Sequence, residues 1–221
     1  MGGELRPLTP VEFAGATGAG PDVVERLRAY EALLRKWQAA INLVGPNTLR
    51  NLWRRHFLDS AQLFPLAPIG AKVWVDVGSG AGFPGLILAA MGAPRVHLIE
   101  SDVRKGAFLN EAARVLGLGG VTVHPKRVQD VSRETLGGSV DVLTARAWTR
   151  PDEVLRQTGH LVDSETTYLL PVGQSAQMGL TALGKERRMT SEVLPSRTDP
   201  ASAILRIQGV SRGTATDTSG P

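Results

Sequence analysis

The spacing of apolar residues changes near Gly70, and the change divides the chain into two kinds of structure. Between Pro21 and Ala39, Val23, Val24, Leu27, Tyr30, Leu33, Leu34 and Trp37 recur every three or four positions. That spacing lines one face of a helix over roughly 22–39. Glu25, Arg26, Arg28, Glu31, Arg35 and Lys36 fill the opposite face, and Pro21 suits a first turn, where its missing N–H leaves no bond unmade. The segment Ile41 to Pro46 breaks the period, and a second helix is predicted from about 48 to 64, ended by Pro65 and Pro68. Residues 1–20, rich in Gly, Pro and Ala, read as a loose arm.

Beyond Gly70 the apolar runs shorten and become β-prone. Strands are predicted at 72–77, 95–100, 121–123, 140–145 and 166–170, with helices at 86–91, 103–116, 151–158 and, weakly, 176–185. Two further strands near 190–194 and 203–208 have little helix between them, which predicts an antiparallel hairpin at one edge. Strands that alternate with helices imply an α/β fold, a mostly parallel sheet covered on both faces. We expect one domain over 21–208, with 21–69 as a helical extension and 209–221 as a disordered polar tail.

Composition narrows the class. The 221 residues are 42% hydrophobic and 21% charged, as in globular proteins. No apolar stretch reaches the ~18–20 residues of a membrane helix, and the start lacks a secretory core; the expectation is a cytoplasmic protein away from membranes. The absence of cysteine excludes disulfides, thiolate metal sites and a cysteine nucleophile. A net charge of +4 is a mild excess that fits a polyanionic partner without demanding one. The four histidines, at 56, 97, 124 and 160, show no ligand spacing, so no metal is expected.

The sharpest local signal is Asp76-Val77-Gly78-Ser79-Gly80-Ala81-Gly82-Phe83-Pro84-Gly85, between a predicted strand and a predicted helix. Glycines in that place let the chain turn tightly and let a ligand approach the main chain. Two nucleotide-type ligands compete. Gly80, Gly82 and Gly85 match the dinucleotide pattern, and Glu100, 20 residues after Gly80, could hold ribose hydroxyls. Against a dinucleotide stands Asp76, read as facing the crevice: a carboxylate there repels a diphosphate and suits the sulfonium and ammonium of S-adenosylmethionine. On that reading Asp76, Gly78, Gly80 and Glu100 are cofactor-binding candidates, and Asp102 caps the following helix. Val128-Gln129, after the third strand, reads from the residues alone as an ordinary helix start, at a position that in such a fold lies beside the adenine.

With the loop in place, Asn42-Leu43, Arg55-His56-Phe57-Leu58-Asp59-Ser60 and Ala145-Arg146-Ala147 fall into a familiar order. From about Tyr30 to Gly173 the sequence resembles the bacterial small-subunit ribosomal RNA (guanine-N7) methyltransferase G family, also called glucose-inhibited division protein B. The resemblance implies a class I S-adenosylmethionine-dependent, Rossmann-like methyltransferase of the cytoplasm, acting on N7 of one guanine of 16S rRNA or of the small ribosomal subunit. It assigns cofactor contacts to Gly78, Phe83, Val128, Gln129 and Arg146. Arg55, His56 and Asp59 become candidates for the substrate side; His56 and Asp59, three apart on one helix face, either line the pocket or fasten the N-terminal helices across it. One departure stands out: where the family shows Leu-Lys-Gly after the fifth strand, this chain has Leu170-Pro171-Val172-Gly173, with Val172 at the lysine position.

The chemistry agrees. Guanine N7 has a lone pair and no proton, so its methylation requires alignment and charge compensation rather than a general base. Arg146, following the fourth strand, is the candidate for that work. No Asp/Asn-Pro-Pro-aromatic run follows that strand, which disfavours methylation of an exocyclic amine. Arg54, Arg55, Arg104, Lys105, Lys126, Arg127 and Arg150 could contact RNA phosphates or simply form solvated helix faces, and Trp148 could stack on a base or pack in the core. An NAD-linked oxidoreductase, a small-molecule methyltransferase and an inactive RNA-binding module remain as alternatives.

Overall fold

The computed structural model describes residues 6–173 and 189–210. Helix α1 (Pro10–Thr17) opens with a capping box: the Thr9 hydroxyl accepts the Glu12 N–H, and the Glu12 carboxylate accepts the Thr9 N–H. Its Phe13 is fully buried, edge-on to Trp53 at 5.4 Å. The loose arm expected over 1–20 is thus corrected from residue 10 onward: a reciprocal cap and one buried aromatic outweigh the surrounding glycines. Helix α2 (Pro21–Gln38) follows its predicted span and buries Leu27, Tyr30 and Leu34.

The second predicted helix occurs as joined pieces. A 3₁₀ turn (Pro46–Asn51) leads into a π-helical turn (Trp53–Leu58) and one α-helical turn, α3 (Asp59–Ala61); Pro65 lies inside a further 3₁₀ turn, Phe64–Leu66. A π turn takes in one extra residue without altering residue type, so apolar spacing does not announce it.

Seven strands make one sheet: β1 (Val73–Val77), β2 (Arg95–Ile99), β3 (Val121–His124), β4 (Val142–Ala145), β5 (Thr167–Gly173), β6 (Thr190–Pro195) and β7 (Ser202–Gln208). Their order is β3-β2-β1-β4-β5-β7-β6. The first five run parallel, whereas β7 pairs antiparallel with both β5 and β6. The expected hairpin is therefore present, joined to the sheet by its second strand. One face packs beneath α1, α2, α4 (Gly85–Ala90) and α5 (Val103–Val115), through residues such as Trp74, Leu98 and Val142. The other packs on α6 (Pro151–Thr158) through Val75, Val77 and Leu143. The order reverses between β1 and β4, and ligands of open α/β sheets bind outside the carboxyl ends at such a switch point.

The helix expected at 176–185 and the tail beyond 210 lie outside the described residues. Among the described residues no helix is long and apolar enough to cross a membrane.

Candidate active site

Beyond the carboxyl ends of β1, β2 and β4 lies a cavity of about 620 Å³. This is within the ~300–1,000 Å³ range of sites that enclose a small-molecule ligand. The glycine loop forms one wall. Gly78 has φ +68°, and a Cβ there would lie 2.7 Å from the Trp148 ring, so both its conformation and its space require glycine. Glu100 holds the loop from the side: its carboxylate accepts the Gly80 N–H and the Asp102 N–H, each at 2.8 Å. Val128 and Gln129 line the cavity from the 3₁₀ turn after β3 (Val128–Asp130), and Gln129 donates to Gln157 at 2.7 Å. Asp102 caps α5 as expected, accepting from Arg104 N and Lys105 N.

Asp76 is elsewhere. Strand alternation turns it with Trp74 toward α4, and the register sets it between Leu98 and Thr144. It is 1% exposed and absent from the cavity wall. One carboxylate oxygen accepts the Thr144 hydroxyl at 2.9 Å, and the other accepts the Gly85 N–H at 3.1 Å. A Cβ on Gly85 would come within 2.9 Å of that second oxygen. Burial pushes the Asp76 carboxyl up to about 7, against its hydrogen bonds from Thr144 and Gly85. The expected contact between Asp76 and the cofactor is therefore corrected: the residue fastens the glycine loop and the start of α4 from beneath. Repulsion of a diphosphate falls away with it, since the wall carries Glu100 beside Lys105, Lys126, Arg127 and Arg146.

Arg146, just past β4, is the centre of a polar cluster. Its Nη2 donates to the Arg55 carbonyl at 3.1 Å and to His56 Nδ1 at 2.9 Å, and its Nε lies 3.4 Å from Asp59 Oδ2. The guanidinium stands 5.8 Å above the Phe83 ring, within cation–π range, while Nη1 is buried without a hydrogen-bond partner. Burial, with the Arg146 and Arg55 cations nearby, lowers His56 to about 3, so its ring is neutral. Since Nδ1 accepts from Arg146, Nε2 carries the proton and donates to Thr48 Oγ1 at 2.9 Å; that hydroxyl donates to the Gly45 carbonyl at 2.7 Å. The Arg55 carbonyl and His56, on the π turn, and the Asp59 carboxylate just past it converge on one arginine.

Arg146 also lines a second cavity of about 210 Å³, which it shares with Arg55, Asp59, Val172, Thr198 and Asp199. The candidates thus fall into three groups. Gly78, Gly80, Phe83, Glu100, Val128, Gln129, His56 and Arg146 line the larger cavity. Arg55 and Asp59 line the smaller one, and Asp76 lines neither. Sequence reasoning passed over Tyr30, whose buried hydroxyl donates to the Ala81 carbonyl and pins α2 to the glycine loop. It quoted Leu43 in a family motif without giving it a place in the site, and passed over Val44 in the larger wall and Thr198 and Asp199 in the smaller. Only the folded chain brings these beside the motif. Among the described residues no cluster of three or more His, Asp or Glu could hold a metal ion.

Comparison with known proteins follows the same line. The family described as GidB, rRNA small subunit methyltransferase G, matches residues 23–199. Ribosomal RNA small subunit methyltransferase G of Paramagnetospirillum magneticum is 51% identical over 209 residues, covering 94% of this chain and 99% of the relative. The protein of the same name from Rhodospirillum centenum is 47% identical over 90% of each chain. Among solved structures, a mutant of MtNAS in complex with S-adenosylmethionine superposes with a TM-score of 0.55 at 18% identity, covering 92% of this chain and 84% of that one. At that identity the likeness concerns the fold alone.

Proposed function

This chain belongs to the rRNA small subunit methyltransferase G family, and on that premise we propose that it transfers a methyl group from S-adenosylmethionine to N7 of a guanine in 16S rRNA. The observation that carries the reading at the site is the position of Arg146, in the wall of a cavity large enough for a nucleoside cofactor and of a smaller one beside it.

The residues of the larger cavity fit such a cofactor. Glu100 has both oxygens fixed by backbone N–H groups and keeps lone pairs for a ribose diol. Val128, 3% exposed, offers an apolar surface to adenine, and Gln129 stands at its edge. Lys105, Lys126 and Arg127 suit the carboxylate of the methionyl group or the phosphates of RNA. When bound, S-adenosylmethionine supplies an electrophilic methyl group on a sulfonium. The chain's own part is to orient and to balance charge. His56 and Asp59 hold Arg146 from two sides, so that its guanidinium meets the base already aligned. The neutral His56 ring serves as a hydrogen-bond acceptor for Arg146, and no residue is required to move a proton.

We read residues 10–208 as a single catalytic domain, α1 included, acting on the small ribosomal subunit or its rRNA in the cytoplasm. Mass spectrometry of 16S rRNA from cells lacking the protein should show one 7-methylguanosine missing, restored by the intact gene. An unchanged inventory would reject the guanine-N7 assignment.

A further inference from the structure

We propose that the second cavity, which shares Arg146 with the cofactor cavity, seats the target guanine, and that Asp199 reads its Watson–Crick edge. The inference rests on the methyl-transfer reading above and adds a residue from the β6–β7 turn to it. At about 210 Å³ the cavity is smaller than the ~300 Å³ at which sites begin to enclose whole drug-sized ligands, which suits a base alone.

Guanine's perimeter fixes its orientation. If N7 faces the cofactor cavity, O6 lies next to it, at the wall where Arg146 stands, and the N1–H and N2–H₂ donors point to the far lining. Two carboxylates line the cavity, Asp59 beside Arg146 and Asp199 in the β6–β7 turn. Asp59 is already committed: Oδ1 accepts the Thr198 hydroxyl at 2.6 Å and the Gln62 amide at 3.0 Å, and Oδ2 faces Arg146. Asp199 has one partner on each oxygen, the Ala201 N–H at 2.9 Å and Arg55 Nη1 at 3.0 Å, with its side chain 31% exposed. Lone pairs therefore remain on both oxygens. The same two partners hold its carboxyl below the usual range, keeping it an acceptor at neutral pH.

Arg146 Nη1, buried and without a partner, needs an acceptor, and guanine O6 is one. Adenine offers a donor at position 6 and an acceptor at N1, so both ends of the site would reject it. Val172, where the family pattern has lysine, contributes apolar lining in register with Ala203; the cavity's cations are Arg55 and Arg146.

The site also favours the reaction itself. The N7 lone pair forms the new C–N bond as the methyl–sulfur bond breaks toward sulfur, leaving the purine cationic with its N1 and N2 protons retained. That charge makes N1–H and N2–H₂ stronger donors, so Asp199 binds the transition state more tightly than the ground state.

The test is internal competition. 16S rRNA transcripts with half of their guanosines replaced by inosine, which lacks the 2-amino group, are methylated as free RNA and as reconstituted small subunits. Mass spectrometry reads the ratio of 7-methylguanosine to 7-methylinosine. Wild-type protein should favour guanosine by about 10- to 100-fold, the worth of one hydrogen bond to a charged acceptor. Asp199→Asn should lower that ratio several-fold with unchanged affinity for S-adenosylhomocysteine. Should Asp199→Asn fail to fold, Asp199→Ser keeps an acceptor for the Ala201 N–H, removes the carboxylate and is read in the same way. A ratio unaltered by loss of the carboxylate overturns the role of Asp199 while leaving the methyltransferase reading intact. Absence of 7-methylated purine with wild-type protein on either substrate overturns that reading itself.

Discussion

Asp76, next to last in β1, and Glu100, just past β2, both hold the same glycine loop, yet only Glu100 reaches the cavity. The difference is one of parity. In β1 the odd positions Val75 and Val77 face α6, so Asp76 shares the opposite side with Trp74 and is closed over by α4. Its consequence is a pH effect that an exposed carboxylate would not produce. A carboxyl held at about 7 in the folded chain and near 3.8 in the unfolded one stabilises fully below pH 3.8, and that contribution is lost as pH rises through 7. Asp76→Asn cannot titrate. In urea unfolding, wild-type stability measured relative to Asp76→Asn should therefore decline between about pH 4 and pH 7. A constant difference over that interval would show that Asp76 ionises as it does in the unfolded chain.

At the scale of elements, the sequence was most legible where period and length agree. Helix α2, helix α5 and all seven strands lie where apolar spacing and turn residues predicted them, because each buries a face that repeats with its own period. Two elements escaped. The π turn holding Arg55 and His56, with Asp59 just past it, has the composition of an ordinary helix, and its contacts reach Arg146, a residue some 90 positions away. Helix α1 hides in a Gly- and Ala-rich stretch, and the residue it buries is Phe13. Phe13→Ala should accordingly cost about 3–5 kcal/mol in urea unfolding, the usual range for emptying a buried aromatic site. Removal of residues 1–18 should destabilise the remainder, where loss of a true arm would leave the midpoint unmoved.

For the whole molecule, the parallel sheet and the family's motifs established what kind of protein this is, but charge complementarity at Asp76 is not the reason. The cofactor cavity is walled by more cations than acids, so its choice of ligand rests on shape and on Glu100 rather than on repulsion of phosphate. The second cavity was illegible for a different reason: it joins the π turn, the ends of β4 and β5 and the β6–β7 turn, which only the completed sheet brings together. A ligand that binds only the folded chain stabilises all of it. S-adenosylhomocysteine at one hundred times its dissociation constant should add about 2.7 kcal/mol to the unfolding free energy. NAD at the same concentration should add nothing, and an equal gain from NAD would restore the dinucleotide reading.

One guanidinium forms part of the boundary of both chambers. Thermodynamic reciprocity then applies to their contents: if filling either chamber re-aims that group, it alters the dissociation constant in the other, and the factor must be identical whichever compound is added first. Titrations performed in the two orders should close into a cycle, and the factor relating them would measure how far this one side chain makes two sites behave as one.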